Sequence, residues 1–374
     1  MTRNILKRAV LVALVAASAS TGLLAQTPPA PPQTFSTTIY FDYSFFGSNN
    51  GYMTNTSANP NLTTNKFQFR RAYFTYENKI NSDLKFRFRF DADNTAVLTS
   101  TSGSTDPKMR PFLKHIYLDW AGLLPNSSLK IGMTETMAFK VAEDRWGLRS
   151  VAKTLLDGYK DITGADIRTS SADLGVNLTG AISKELRYGA MVMNGEGYSK
   201  PELNKYKKFG GFLQLVPVSG INLWGYYEYE KLSEKSEYGK MYKFDAYIDV
   251  IPGLNITGEY FKYNSDQKYT VVKVDDGTGN GTTINVNKHY DIGGYSIFAT
   301  YKIVPDVIHA FVRYDKYQPD STNRAKDMSI VIAGLDWTPL DKSWKIQPNV
   351  WFYNYSDAAK KPDIIVNLTF FLTF

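Results

Sequence analysis

Leu84-Lys85-Phe86-Arg87-Phe88-Arg89-Phe90-Asp91-Ala92-Asp93 alternates without a break. In an extended chain successive side chains point to opposite faces. Leu84, Phe86, Phe88, Phe90 and Ala92 therefore share one face, and Lys85, Arg87, Arg89, Asp91 and Asp93 share the other. A half-buried strand of a soluble sheet also alternates, but rarely sets large rings against an unbroken run of charges. Lipid on one side and a wet lumen on the other accounts for both faces at once. The stretch reads as one wall strand of a transmembrane β-barrel.

The same period of two runs outward in both directions. Upstream, Phe35, Ile39, Phe41, Tyr43 and Phe45 alternate with Ser36, Thr38, Asp42 and Ser44. At the C-terminus, Ile364, Val366, Leu368, Phe370 and Leu372 form one apolar face, and the chain ends on Phe374. The pattern predicts sixteen strands, near 35–45, 66–78, 84–93, 110–120, 128–134, 172–182, 185–194, 206–216, 221–230, 240–250, 254–264, 289–302, 307–317, 327–337, 345–355 and 363–374. The segments 206–216 and 221–230 are mixed in phase. Connections alternate between short (79–83, 183–184, 217–220, 251–253, 303–306) and long (46–65, 94–109, 135–171, 265–288, 318–326). An even strand number with short periplasmic turns and long external loops is the habit of bacterial outer-membrane barrels.

The other features of the chain agree with this. Arg3, Lys7 and Arg8 precede a short apolar run from Ala9 to Ala17. That run is too short to span the roughly 30 Å of hydrocarbon that needs about 20 residues as a helix, so residues 1–25 read as a secretory signal peptide. Cleavage is expected after Ala25, with Ala17-Ser18-Ala19 as a second candidate. Residues 26–34, with Pro28, Pro29, Pro31 and Pro32, read as a stiff periplasmic linker, and 35–374 as the barrel. The chain has no cysteine, hence no disulfide framework and no thiolate metal site. The formal charge of +7 falls to +4 once the three basic residues of the leader are removed, since no acid precedes residue 26. That excess permits an anion-preferring interior. Tyr, at 26 residues, suits the membrane–water boundary. Trp120, Trp224, Trp337 and Trp344, near predicted strand ends, read as part of such a girdle.

The period changes only in 135–171, the third long connection. Leu148, Val151, Ala152 and Leu155 recur at spacings of three and four, predicting one short helix over 143–158, with Asp144 as cap and Gly158 as stop. The segments Phe69-Arg70-Arg71-Ala72-Tyr73 through Lys79, Leu84 to Asp93, Lys130-Ile131-Gly132-Met133, Ala333-Gly334-Leu335-Asp336-Trp337 and the last strand resemble the phosphate-selective porin O and P family. The general sixteen-stranded porins are similar. The resemblance implies that loop 135–171 folds into the barrel and narrows it, and that the protein is a homotrimer. It further implies that the strand ending in Phe374 is recognised by the barrel-assembly machinery, and that the surroundings are outer-membrane lipid and lipopolysaccharide. The family's phosphate selectivity depends on a dense basic array. Here Lys140, Arg145, Arg149, Lys153 and Lys160 are mixed with Glu135, Glu143, Asp144, Asp157 and Asp161.

The resulting expectation is a Gram-negative outer-membrane channel for passive diffusion of small ions and solutes, with weak anion preference. Its pore-lining residues are Arg71, Lys85, Arg87, Arg89, Asp91 and Asp93, and its constriction residues Lys140, Glu143, Asp144, Arg145, Arg149 and Lys153. The alternatives are a phosphate-specific channel and a loop-plugged barrel acting as adhesin or scaffold. His115, His289 and His309 are not at metal-ligand spacing, and no nucleophile motif marks an enzyme. No cofactor and no nucleic-acid partner are expected. The run Asp275-Asp276-Gly277-Thr278-Gly279-Asn280-Gly281 reads as the tip of an external loop.

Overall fold

The computed structural model describes residues 32–374, apart from 48–64, 94–97, 100–104, 107–109, 203, 233–236 and 275–281. The leader, most of the linker and the 275–281 tip lie outside the described residues. Sixteen antiparallel strands close a barrel in chain order. They are β1 Gln33–Phe46, β2 Asn65–Lys79, β3 Leu84–Asp93, β4 Phe112–Ala121, β5 Ser127–Glu135, β6 Ala172–Ala181, β7 Leu186–Met193, β8 Lys208–Val218, β9 Ile221–Lys231, β10 Tyr238–Ile251, β11 Leu254–Val274, β12 Thr282–Val304, β13 Ile308–Gln318, β14 Met328–Trp337, β15 Trp344–Tyr355 and β16 Asp363–Thr373. β1 pairs with β16, and Thr37 and Phe374 exchange backbone bonds of 2.6 and 3.0 Å at the seam. Closure leaves no strand edge, which a spanning sheet requires. No helix among the described residues is long and apolar enough to cross a membrane.

The alternation sorts the faces as expected. Tyr43, Phe90, Leu213, Phe244, Ile297, Val366 and Leu368 are exposed outward, while Asp42, Asp91, Lys243, Asp315, Asp363 and Thr369 are buried inside. β8 and β9 resolve their mixed phase: Lys208, Trp224, Tyr226, Glu228 and Glu230 are buried, and Phe209, Leu213, Leu215, Leu223, Tyr227 and Tyr229 face out. Trp224 is therefore not a girdle residue. It stacks on Tyr226 inside the lumen, whereas Trp120, Trp337 and Trp344 are exposed at strand ends. β11 and β12 run well past their predicted ends and keep pairing from Asp266↔His289 to Val274↔Thr282. Much of the expected loop 265–288 is thus a raised hairpin.

Besides register shifts near hairpin ends, two β-bulges fall within the wall beside the constriction. One lies between Tyr40 and Phe41 of β1 opposite Arg71 and Phe69, leaving Arg70 as the extra residue. The other lies between Arg89 and Phe90 of β3 opposite His115 and Leu113, leaving Lys114 as the extra residue. A bulge re-aims side chains locally. Arg70 reaches the buried Asp42, and Lys114 is buried beside His115, so two adjacent residues face inward at each bulge.

The connection after β5 enters the barrel as two helices, α1 Met137–Trp146 and α2 Leu155–Thr163. This corrects the single helix expected over 143–158. Gly147 ends α1 at φ 63°, a left-handed conformation that glycine adopts without steric cost, and Gly164 ends α2 in the same way. Asp144 lies inside α1, not at its cap, and Gly158 lies inside α2. Leu148, Val151, Ala152 and Leu155 are all buried, but in the turn between helices and the start of the second. Their periodicity came from one-sided burial of a folded-back loop.

Candidate pore constriction

The docked loop packs against one side of the lumen, leaving there a cavity of about 230 Å³ lined by Arg70, Arg71, Arg313 and Asp315, and leaves larger chambers along the other side. Trp146 is 2% exposed and meets Phe298 and Phe311 edge-on at centroid distances of 5.2 and 5.7 Å. Its ring lies under the Arg313 guanidinium, and its indole N–H donates to the Ala152 carbonyl at 2.9 Å. Tyr159 of α2 packs on Phe261 and Tyr317. Ser150 Oγ donates to Gln347 Oε1 at 2.6 Å. These contacts seat the loop against the wall formed by β11 to β15. At its root, Thr136 is held by the backbone of Ser171 and Ser170, and Asn177 Nδ2 donates to the Glu135 carbonyl at 2.6 Å.

The larger chambers lie along β2 to β10. An inner vestibule of about 950 Å³ opens toward the short turns. A narrower chamber of about 360 Å³ follows, between the β2–β4 wall and α1. An outer chamber of about 460 Å³ lies beyond it, between α2 and the segments 166–171 and 195–200. Glu135, Thr136, Lys140 and Asp144 line both vestibule and narrow chamber, while Phe139 and Ser171 line both narrow and outer chambers.

Among the expected pore-lining residues, Arg87 donates to Glu77 at 2.6 Å and to Glu135 at 3.3 Å. Arg89 donates to Thr75 Oγ1 at 2.8 Å, and no carboxylate among the described residues lies within ion-pair distance of it. Its guanidinium sits over the Tyr73 ring. Arg71 is almost fully buried between Asp91 at 2.8 Å and Asp93 at 3.0 Å, with Lys114 also on Asp91 at 3.0 Å. These four form a wall brace more than a free ladder. Lys85 is exposed at the periplasmic end, across from Lys79 and Asp119.

The constriction residues divide by position. Arg149 is central, paired with Glu143 at 2.5 Å and Asp157 at 2.6 Å, and its Nε donates to the Tyr73 hydroxyl at 3.1 Å. Lys140 and Asp144 form an exposed pair one turn apart on α1. Arg145 turns away to Asp249 at 2.7 Å and lies flat on Tyr247, so it belongs to the vestibule. Lys153 pairs with Asp161 and lines the outer chamber. Arg145 therefore does not stand beside Arg149, whereas Lys153 shares with Arg149 the lining of a cavity of about 230 Å³.

Strict alternation overlooked four contributors. Tyr73 gathers Arg71, Arg89 and Lys114 around its ring, each within about 5.5 Å of the centroid. Lys114 is turned inward by its bulge. Glu135 closes β5 with bonds to Arg87, Lys130 and Tyr117. Tyr198, from the next external connection, stacks on Phe112 and faces Lys114. The adjacent polar pairs Arg70-Arg71 and Lys114-His115, inside otherwise alternating strands, are the signal that could have found the bulges.

Residues 5–138 match the family described as phosphate-selective porin O and P. No curated protein sequence matches the chain. Among solved structures, OmpF of Salmonella typhi in complex with daunomycin is 12% identical with a TM-score of 0.59, over 92% of this chain and 98% of that one. The outer-membrane channel DcaP of Acinetobacter baumannii is 12% identical with a TM-score of 0.58, over 95% and 100%. The anion-selective porin from Comamonas acidovorans is 8% identical with a TM-score of 0.60, over 92% and 99%. At these identities the likeness establishes the fold. With its closed sixteen-stranded barrel and in-folded third loop, the chain has the porin barrel fold, and its residues 5–138 match the phosphate-selective porin O and P family.

Proposed function

We propose that the protein is a Gram-negative outer-membrane diffusion porin that passes small hydrophilic solutes and ions with a weak preference for anions. The narrow chamber carries this reading. Arg87, Arg89, Lys114, Lys140 and Arg149 line it against Glu135, Glu143 and Asp144, a formal excess of two positive charges. Charges fixed in a low-dielectric wall focus the field on the lumen and raise the local concentration of the opposite ion. Loop 135–171 limits the cross-section, and Lys140, Glu143, Asp144 and Arg149 border the limit. Arg71, Asp91 and Asp93 serve as the brace that keeps the wall rigid, and Lys85 contributes to the inner mouth. Most of these cations already have carboxylate partners, which argues for passage over tight phosphate retention. On this reading the protein does no bond-making chemistry and needs no cofactor.

Residues 1–25 fit a leader removed on export, residues 26–34 a short periplasmic tether, and the strand ending in Phe374 a recognition signal for barrel assembly. The lipid-facing wall fits an environment of phospholipid and lipopolysaccharide, and three copies would follow the habit of general porins.

Single-channel recording of the mature protein in a planar bilayer under a salt gradient tests the reading. Stable open steps with a modestly anion-selective reversal potential are expected, and millimolar phosphate should leave them open. Phosphate block would make the channel phosphate-specific. A correctly folded barrel without steps would favour the plugged scaffold, for which the aromatic packing of α1 and α2 on β11–β13 is the supporting observation.

A further inference from the structure

We propose that Glu135 sets the ion polarity of this channel, holding in check a preference that the basic wall would otherwise express strongly. The inference rests on the diffusion reading and names the group that governs its selectivity. Glu135 is the last residue of β5, where the wall hands over to the in-folded loop, and it lines both the inner vestibule and the narrow chamber. A permeating ion passes it at the junction of the two.

One carboxylate there serves two cations from different strands. Oε1 accepts from Arg87 of β3 at 3.3 Å and from the Tyr117 hydroxyl at 3.3 Å, while Oε2 accepts from Lys130 of β5 at 3.0 Å and from Thr134 at 2.8 Å. Lys130 has no other carboxylate partner among the described residues, and the second partner of Arg87, Glu77, is half exposed at the periplasmic side. The Glu135 side chain is itself a quarter exposed, so its charge acts on the lumen as well as on its partners. Glu143 differs from it. That acid is committed to Arg149, which Asp157 also neutralises. Asp144 sits on the exposed face of α1 with Lys140. Removing either loop acid frees at most a cation on the loop, whereas removing the Glu135 charge frees Lys130 on the wall and leaves Arg87 with Glu77 alone.

The loop does not depend on this side chain. Its root is held through the Glu135 carbonyl, the Thr136 amide and the Thr136 hydroxyl. Glu135→Gln keeps the shape and one acceptor, so it alters charge without moving the constriction.

The experiment is the reversal potential of wild type, Glu135→Gln and Glu135→Asp in planar bilayers under a tenfold KCl gradient at about 0.1 M. A unit charge lining the path, within the screening length of about 10 Å, changes the chloride-over-potassium permeability ratio about two- to threefold. The expected result is that Glu135→Gln shifts toward chloride by this factor with unitary conductance within about a third of wild type, while Glu135→Asp stays at the wild-type ratio. Glu135→Gln at the wild-type ratio would overturn the proposal. So would equal shifts in Gln and Asp, because the effect would then follow side-chain shape. If Glu135→Gln yields no folded barrel, Glu135 is a structural group and the proposal fails. Wild-type barrels without open steps would sink the diffusion reading and this assignment with it, whereas open wild-type steps with a silent Glu135→Gln would sink this assignment alone.

Discussion

Replacing Trp146 by alanine should loosen the constriction loop while leaving the barrel standing. The indole is 2% exposed, meets two phenyl rings edge-on, lies under Arg313 and donates one hydrogen bond. Truncating a packed tryptophan costs about 3–5 kcal/mol. None of that cost falls on the strand ladder, since Trp146 makes no barrel backbone bond. It falls on the docking of residues 137–163, whose ratio of docked to undocked forms should drop by roughly 10²–10⁴. Tyr159 on Phe261 and Tyr317 and the Ser150–Gln347 bond still hold the loop in the single variant. Trp146→Ala should therefore give noisier steps, and Trp146→Ala combined with Tyr159→Ala should give larger ones. Unitary conductance and liposome swelling with sugars of increasing size read this directly. If the double variant is a folded, heat-modifiable barrel with wild-type conductance and wild-type size limit, the aromatic contacts do not hold the loop in place, or the loop does not set the cross-section.

Further outcomes follow from other parts of the barrel. Arg89→Gln removes a cation with no carboxylate partner among the described residues, so the chloride preference should fall about twofold without a change in stability; an unchanged reversal potential would remove Arg89 from the path. Leu368→Arg, at the lipid-facing middle of β16, should destabilise the barrel by about 2–4 kcal/mol, seen as a lower urea midpoint in lipid. In the external turn after β13, hydrogen bonds from Thr322 and Lys326 hold the Asp320 carboxyl down at about 2. A folded-state value below the unfolded value of about 3.9 means that this local order is complete above the unfolded value and is lost as pH falls through about 2. The Thr322 amide resonance should accordingly titrate near pH 2, and a midpoint near 4 would show that the turn does not form.

Much of the wall was legible because each strand meets two solvents. Phe86, Phe88 and Phe90 must face lipid, Arg87 and Arg89 must face water, and the backbone imposes the period between them. The reading failed where that pairing of faces fails. Trp224 stands at an inward position close to a strand end, and composition alone cannot tell a girdle tryptophan from one packed in the lumen. Lys114 and Arg70 depend on bulges that a strict period of two cannot represent. The loop is neither strand nor single helix: Leu148, Val151, Ala152 and Leu155 are buried by a wall about 150 residues further along the chain, and that burial mimics helical spacing. The candidate site suffered most, since it is made where distant segments meet. Arg149 on the loop touches Tyr73 on β2, and Glu135 joins Arg87 to Lys130. Only the identity of the charges could be read beforehand, not which of them would neutralise one another.

The β1–β16 seam gives this molecule an unusual relation to its own synthesis. Thr38 faces Thr373 across a separation of 335 residues, and nine registered pairs close the gap. Bringing ends so far apart together costs about 5 kcal/mol of chain entropy before any of those pairs forms. The ladder that offsets this cost contains the last strand of the barrel to be made. An incomplete chain can pair its hairpins but cannot be a cylinder, so N-terminal segments gain nothing lasting from being made first. Between export and insertion the polypeptide has to survive with two raw edges, and its completion is a single late event in which the oldest strand waits for the youngest.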